Sequence, residues 1–205
     1  MKKSIENILN ELETQSSLEK SRKVDVIAEN RMLAITKETG EMLNMILRLN
    51  NVKNMLEVGT STGYSTIWCA EAISDNLGEI ITIEQNPSKI KRAKENFQKS
   101  ELSDRISIKE GLAIKILEEL NSQKKYQEFF NFVFIDADKE NIIKYFDLIF
   151  PIVSINGIII TDNMLYPEKY RPDMNKFSNY LKTNHRLRTI TSPIGNGEEI
   201  TIKIK

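Results

Sequence analysis

Five short apolar runs, each separated from the next by a segment of helical periodicity, constrain this chain most. The runs are Asn54–Val58, Ile80–Glu84, Arg105–Lys109, Phe132–Asp136 and Gly157–Thr161. Helical patterns lie between them at Tyr64–Ile73, Pro87–Ser100, Ala113–Leu120 and Asn141–Phe150. Strands this continuously apolar are covered on both faces, and strand–helix alternation is the pattern of a parallel sheet flanked by helices. The expected class is therefore α/β, a doubly wound sheet. In such a sheet ligands occupy the crevice outside the carboxyl ends of the strands. The residues that follow each run are thus the ones to examine for function.

The flanks have a different character. From about Ser4 to Asn50 the chain reads as helical. Ile5, Ile8, Leu9 and Leu12 recur at helical spacing, and Met42, Leu43, Met45, Ile46 and Leu49 do so again. Thr36, ahead of Glu38 and Thr39, offers a helix start just before Gly40. At the other end Asp173 to Thr183 reads as a helix. Leu187–Thr191 and Glu199–Ile204 alternate around Pro193 and Gly195-Asn196-Gly197, which predicts a hairpin adding an antiparallel strand to the sheet. No repeat, low-complexity tract or linker interrupts the 205 residues. The expectation is one domain over 1–205, with a helical segment over 1–50 and a sheet core over 51–205.

Composition narrows the function classes. The 29 basic and 29 acidic residues cancel, so no whole-molecule field argues for nucleic acid or an anionic membrane, although a local basic patch stays open. The single cysteine, Cys69, excludes an internal disulfide and suits a reducing compartment. No apolar stretch approaches transmembrane length. The opening MKKSIENILNELE turns acidic and amphipathic, unlike a signal peptide. A cytoplasmic protein is expected.

Three segments at strand ends carry the chemistry: LEVGTSTGYS from Leu56 to Ser65, FIDADK from Phe134 to Lys139, and ITDN from Ile160 to Asn163. Gly59 and Gly63 flank a strand-to-helix turn, which is either a bare tight turn or a cradle for a ligand. Glu57 ends the strand before it and Glu84 ends the next strand, where an acid can accept hydrogen bonds from both hydroxyls of a ribose. The dinucleotide fingerprint G-x-G-x-x-G is absent. Gly59 to Gly63 reads G-T-S-T-G, with Ser61 where the glycine that admits a pyrophosphate would stand. That fits a nucleoside ligand without phosphates, such as S-adenosylmethionine.

Asp136, Asp138, Asp162 and Asn163 are hard oxygen donors that suit Mg²⁺, Mn²⁺ or Ca²⁺ rather than zinc. Taken singly, Asp136 or Asp162 could equally cap a helix or a polar loop. Lys139 is either a surface lysine at a helix start or a general base. A nearby cation and a sulfonium would both disfavour its ammonium form.

The stretch E-V-G-T-S-T-G-Y-S with the acid of I-T-I-E resembles the first two cofactor motifs of class I S-adenosylmethionine-dependent methyltransferases. More narrowly, it resembles the cation-dependent O-methyltransferases of the caffeoyl-coenzyme A and catechol type, from about Ile35 to the C-terminus. L-A-I-T-K-E-T-G resembles the segment that closes over the cofactor, and E-G-L-A the loop near the adenine. Leu112 departs from a common acidic or polar residue there, leaving backbone contacts at Gly111–Ala113. The resemblance implies a Rossmann-like fold with a mostly parallel seven-stranded sheet. It implies a cofactor set of Ile35, Glu57, Gly59, Ser65, Glu84, Gly111, Leu112, Ala113 and Asp136. It assigns Asp136, Asp162 and Asn163 to a divalent cation, Mg²⁺ first with Mn²⁺ or Ca²⁺ as alternatives, and Lys139 to proton removal. Asp138 does not match a ligand in that pattern.

The implied reaction is methyl transfer to a hydroxyl of a small aromatic, catechol-like acceptor. The alternative is a tRNA wobble 5-hydroxyuridine acceptor, against which the zero net charge counts mildly. A Rossmann-type dinucleotide-binding protein is opposed by Ser61 and the Asp162-Asn163 pair. The apolar faces of the N-terminal helices pack on the domain or on a second subunit, and a homodimer is expected. His185 reads as a surface residue, Trp68 and Cys69 as core, and Lys89, Lys91, Arg92 and Lys94 as a solvated helix face. Tyr166, Tyr170 and Arg171 either wall an acceptor pocket or are exposed.

Overall fold

The computed structural model describes residues 1–205. Two helices, α1 (Lys3–Lys20) and α2 (Lys37–Leu49), precede the alternating part of the chain. That part runs β1 (Asn54–Val58), α3 (Tyr64–Ser74), β2 (Glu79–Glu84), α4 (Pro87–Lys99), β3 (Ile106–Glu110), α5 (Ala113–Ser122), β4 (Phe130–Ile135), α6 (Ile142–Ile149) and β5 (Val153–Thr161). It closes with α7 (Arg171–Thr183), β6 (Leu187–Ser192) and β7 (Glu198–Lys203). The seven strands form one sheet in the order β3-β2-β1-β4-β5-β7-β6. Strands β1 to β5 pair in parallel, while β7 runs antiparallel to both β5 and β6. The expected class, sheet and hairpin are what the chain adopts.

Period-2 alternation sends each strand's apolar residues into two cores. Met55, Phe132, Phe134, Ile158 and Ile160 pack with Ile8, Leu43, Ile67 and Phe97 of α1 to α4. Leu56, Val58, Val133, Ile135 and Ile159 pack on the other face with Leu117, Phe146 and Phe177 of α5, α6 and α7. Phe132 and Phe134 are wholly buried, and each such side chain contributes about 1.5–3 kcal/mol by leaving water. Local signals fix where the helices begin. Thr36 Oγ1 accepts the Thr39 N–H at 3.2 Å at the start of α2, and Asn86 Oδ1 accepts those of Ser88 and Lys89 before Pro87 opens α4.

Three expectations need correction. Continuous helix from about Ser4 to Asn50 fails over 21–36, where only Ala28–Asn30 makes a single 3₁₀ turn. Arg22 is left-handed with φ 56°, which stops α1. The segment is then held by tertiary bonds. Buried Glu19 accepts the Met32 N–H at 2.5 Å, and Arg92 donates to Glu19 at 2.7 Å and to the Asn30 carbonyl at 2.9 Å. Arg92 is consequently a tie between α4 and α1 rather than part of a solvated face, while Lys91 and Lys94 are exposed as expected. Strand β5 also starts earlier than expected, because a bulge with Asn156 at φ 64° interrupts its register against β4. No helix is long and apolar enough to cross a membrane.

Register positions the site. Val58 lies opposite Ile83 on one side and Ile135 on the other, and Ile135 lies opposite Thr161. The next residues, Gly59, Glu84, Asp136 and Asp162, therefore form one row along the carboxyl edge of the sheet. The order reverses between β1 and β4, the switch point at which α/β sheets open their ligand crevice.

Candidate active site

The turn after β1 is built by close backbone approach. Gly59 has φ +105°, and a Cβ there would sit 2.1 Å from the Asp136 carbonyl oxygen. The ends of the neighbouring strands β1 and β4 touch at this point, so only glycine fits. Ser61 is also left-handed at φ 49°, and Gly63, at φ +89°, packs under the ring of Phe97. Glu84 clamps the turn from the side. Its carboxylate accepts the Ser61 N–H at 2.8 Å and the N–H groups of Gln85 and Asn86 at 2.9 Å each. A carboxylate offers about four acceptor positions, so this half-buried one can take a further donor.

Glu57 lies behind the turn. It is wholly buried, and its oxygens accept the hydroxyls of Ser65 at 2.6 Å, Thr66 at 2.5 Å and Thr82 at 2.6 Å. Burial pushes its carboxyl up, and the three hydroxyls oppose that. Glu57 and Ser65 thus hold each other, bracing α3 against β1. At the end of β3 Gly111 has φ +142°, a Cβ there would meet only Ile116 Cδ1 at 3.5 Å, and its N–H bonds the Glu84 carbonyl at 2.8 Å. Leu112 follows, half exposed at 51%, and Ala113 starts α5. Ile35 is buried in the first core and lines a cavity of about 500 Å³ with Tyr64 and Ala34, just ahead of α2.

The second half of the row gathers charge. Asp136 leaves β4 with its N–H bonded to the Val58 carbonyl at 2.9 Å, and Asp162 leaves β5 with its N–H on the Ile135 carbonyl at 3.1 Å. Asp162 is buried, and its Oδ1 accepts the N–H of Asn163, which stands in the left-handed region at φ 68°. Lys139 is buried at 5% exposure with Nζ 3.3 Å from Asp136 Oδ1. The alternative of a surface lysine therefore does not hold. Asp138 turns the other way, accepting from Asn141 and Tyr145 to fix the start of α6. Burial and the charge on Asp136 push the Asp162 carboxyl up to about 7.

One member of the cluster was not foreseen. Glu198 opens β7 and is wholly buried, and burial followed by the charge of Asp162 pushes it up to about 10. Its Oε1 accepts the Thr39 hydroxyl from α2 at 2.9 Å. The signal lay in the hairpin register. Thr161 pairs with Glu199, so the antiparallel partner of the next residue, Asp162, is Glu198. The remaining readings hold in part. His185 is exposed, Trp68 and Cys69 are buried, and burial pushes the Cys69 thiol well up. Tyr166 and Arg171 are exposed, whereas Tyr170 packs against the second core.

Chemically, the row offers an acceptor for ribose-type hydroxyls at Glu84, open backbone beside an apolar side chain at Gly111-Leu112, and an all-oxygen donor set at Asp136, Asp162 and Asn163. No three acidic, thiol or imidazole side chains converge closely enough to hold a metal by themselves. A cation here would draw on the amide and on oxygens from outside the chain.

Comparison with known proteins gives the family. Residues 10–204 match the family described as O-methyltransferase. Caffeoyl-CoA O-methyltransferase 2 of Populus trichocarpa is 30% identical over 189 residues, covering 85% of this chain and 76% of that one. Caffeoyl-CoA O-methyltransferase 5 of Nicotiana tabacum is 30% identical over 196 residues, covering 88% and 81%. In fold, the chain is similar to the O-methyltransferase of Bacillus cereus in complex with SAH, with a TM-score of 0.78 at 22% identity over 99% of this chain and 91% of that one. It is also similar to TomG of Streptomyces achromogenes in complex with SAM, with a TM-score of 0.79 at 21% identity over 100% and 91%. The chain belongs to the O-methyltransferase family that includes the caffeoyl-CoA enzymes, and it is an S-adenosylmethionine-dependent O-methyltransferase.

Proposed function

We propose that this crevice transfers the methyl group of S-adenosylmethionine to a hydroxyl of a small aromatic, catechol-like acceptor in a divalent-cation-dependent reaction. The observation that carries the reading is the burial of Asp162 and Lys139, with half-buried Asp136 against them, beside the glycine turn. Two carboxylates approach each other in a desolvated place with a single ammonium as counter-charge. Negative charge in excess at the end of a ligand crevice is what a hard cation compensates. The oxygen-only donors Asp136, Asp162 and Asn163 fit Mg²⁺, Mn²⁺ or Ca²⁺. The names of the plant relatives support an aromatic acceptor.

In this reading Glu84 accepts the ribose hydroxyls, Gly59 and the turn give the cofactor room, and Leu112 with the Gly111–Ala113 backbone flanks the adenine. When bound, the cation supplies positive charge that stabilises the acceptor oxygen as it loses its proton. Lys139 takes that proton at Nζ, which Asp136 Oδ1 orients from 3.3 Å. The acceptor oxygen then forms a bond to the methyl carbon while the carbon–sulfur bond breaks. Its electron pair returns to sulfur and leaves a neutral thioether. Alignment of the two reactants supplies most of the rate. The test is transfer of labelled methyl to a catechol with and without Mg²⁺. Turnover should require the cation, and catechol should be methylated on oxygen. Lack of transfer to any vicinal dihydroxy-aromatic would overturn the acceptor assignment.

A further inference from the structure

Strand β7 runs antiparallel to β5, so the turn that precedes it returns to the carboxyl edge of the sheet, just beyond Asp162. That turn is Ile194–Gly197, closed by the Gly197 N–H on the Ile194 carbonyl at 2.9 Å. Its sequence I-G-N-G supplies two left-handed residues, Gly195 at φ +60° and Gly197 at φ +89°. Each glycine is pressed against a different piece of chain. A Cβ on Gly195 would sit 2.1 Å from Thr39 Oγ1 and 2.9 Å from Thr36 Oγ1, at the start of α2. A Cβ on Gly197 would sit 2.5 Å from Leu165 Cγ and 2.9 Å from the Leu165 nitrogen, in the loop after β5. Backbone hydrogen bonds tie that loop to the turn as well. The Gly197 carbonyl accepts the Met164 N–H at 2.9 Å, and the Asn196 carbonyl accepts those of Leu165 at 2.9 Å and Tyr166 at 3.0 Å. The three N–H groups that follow Asn163 therefore all end on the turn.

In the methyl-transfer reading these two pieces are opposite walls of the crevice. Thr36 and Thr39 follow Ile35 on the cofactor side, and Met164–Tyr166 follow Asp162 and Asn163 on the acceptor side. We infer that the turn Gly195-Asn196-Gly197 is a positioning element that joins the two walls, so that a ligand ordering one wall sets the place of the other. The inference rests on the reading above and extends it to how cofactor and acceptor act on each other. Contacts this tight pass on a displacement, because close-packed groups leave no slack to absorb it. The hydrogen bonds on the acceptor side are backbone to backbone and cannot be broken by rotation of a side chain. Cofactor and acceptor should therefore bind with a favourable coupling, equal whichever of them binds first.

The test is titration of 4-nitrocatechol, followed by its absorbance, into the full chain with Mg²⁺, with and without saturating S-adenosylhomocysteine. Wild type is compared with Gly195→Ala, Gly197→Ala and Thr39→Ala. Gly78→Ala is the control, because its Cβ would meet Ile73 Cβ at 2.8 Å in the turn before β2, at the other edge of the sheet. In wild type, S-adenosylhomocysteine should tighten 4-nitrocatechol by at least about fivefold, the lower end of ordinary coupling between sites. In both glycine variants that ratio should fall to within about twofold of unity, although each new methyl touches only one wall. Thr39→Ala removes one side of the contact without adding bulk. Its ratio should lie between, and it decides the matter if a glycine variant fails to fold. Gly78→Ala should lower the urea midpoint and keep the wild-type ratio. A wild-type ratio near one, or a wild-type ratio kept in the folded variants at Gly195, Gly197 and Thr39, overturns the inference and leaves the methyl-transfer reading standing. So does equal loss of the ratio in Gly78→Ala, which would make the turn merely structural. A wild-type chain that binds S-adenosylhomocysteine but no 4-nitrocatechol overturns the acceptor reading and this inference with it.

Discussion

Replacement of Gly59 by alanine tests the claim that the cofactor turn and the Asp136 strand end are one mechanical unit. Two costs add at this position. A residue with a Cβ at φ +105° is strained by about 1–3 kcal/mol. The new methyl would also meet the Asp136 carbonyl oxygen at 2.1 Å, and that oxygen belongs to backbone that cannot swing away like a side chain. Overpacking of this kind costs about another 1–3 kcal/mol. Gly111→Ala is the matched control. Its φ of +142° is equally unfavourable, but a Cβ there has only Ile116 Cδ1 at 3.5 Å, an ordinary contact. Urea unfolding should show Gly59→Ala destabilised by about 2–6 kcal/mol and Gly111→Ala by about 1–3 kcal/mol. The slope with denaturant should be unchanged in both. Calorimetry on the folded fraction should show Gly59→Ala weakening both S-adenosylhomocysteine and Mn²⁺, since relief of the clash moves Asp136. Equal stability losses in the two variants, or intact Mn²⁺ affinity in Gly59→Ala, would refute the reasoning.

Other expectations follow from single contacts. Lys139→Ala should lower kcat by about 10²–10⁴-fold with little change in cofactor affinity, and the loss should shrink with more acidic phenols; near-normal turnover on a catechol at neutral pH would remove Lys139 as the base. Glu84→Ala should weaken S-adenosylmethionine by about 1.5–3 kcal/mol, the range for hydrogen bonds to a charged group, and calorimetry showing unchanged affinity would take Glu84 out of the site. Asp162 and Glu198 are raised from 3.8 and 4.5 to about 7 and about 10. Between those limits the folded state holds more protons than the unfolded one. Metal-free stability should therefore be greatest below about pH 4 as far as these two groups go, and their contribution should be lost as pH rises through 7 toward 10. Urea midpoints in chelator that fail to drop between pH 5 and pH 8 in wild type, relative to an Asp162→Asn, Glu198→Gln double variant, would contradict this.

What could be read from the sequence follows physical range. The strands announced themselves because burial on both faces demands continuous apolar runs, and Asp136, Asp162 and Asn163 stood out because polar residues break those runs at their ends. The glycine turn was legible for the same reason. Glu198 was not, because its meaning depends on which residue the hairpin sets opposite Asp162. Glu57 was visible as an acid at the right strand end, but its enclosure by Ser65, Thr66 and Thr82 comes from two other elements. The gap between α1 and α2 was missed because it is held by the ion pair of buried Glu19 with Arg92 rather than by any local signal.

Cation-dependent methyl transfer at the row of Glu84, Gly59, Asp136 and Asp162 is open to a single decisive assay. Its most direct test is transfer of labelled methyl from S-adenosylmethionine to catechol by chelator-treated enzyme, before and after Mg²⁺ is added, with S-adenosylhomocysteine affinity measured in parallel. Turnover should disappear in chelator and return with Mg²⁺, while cofactor affinity changes little. Full turnover by metal-free enzyme would contradict it.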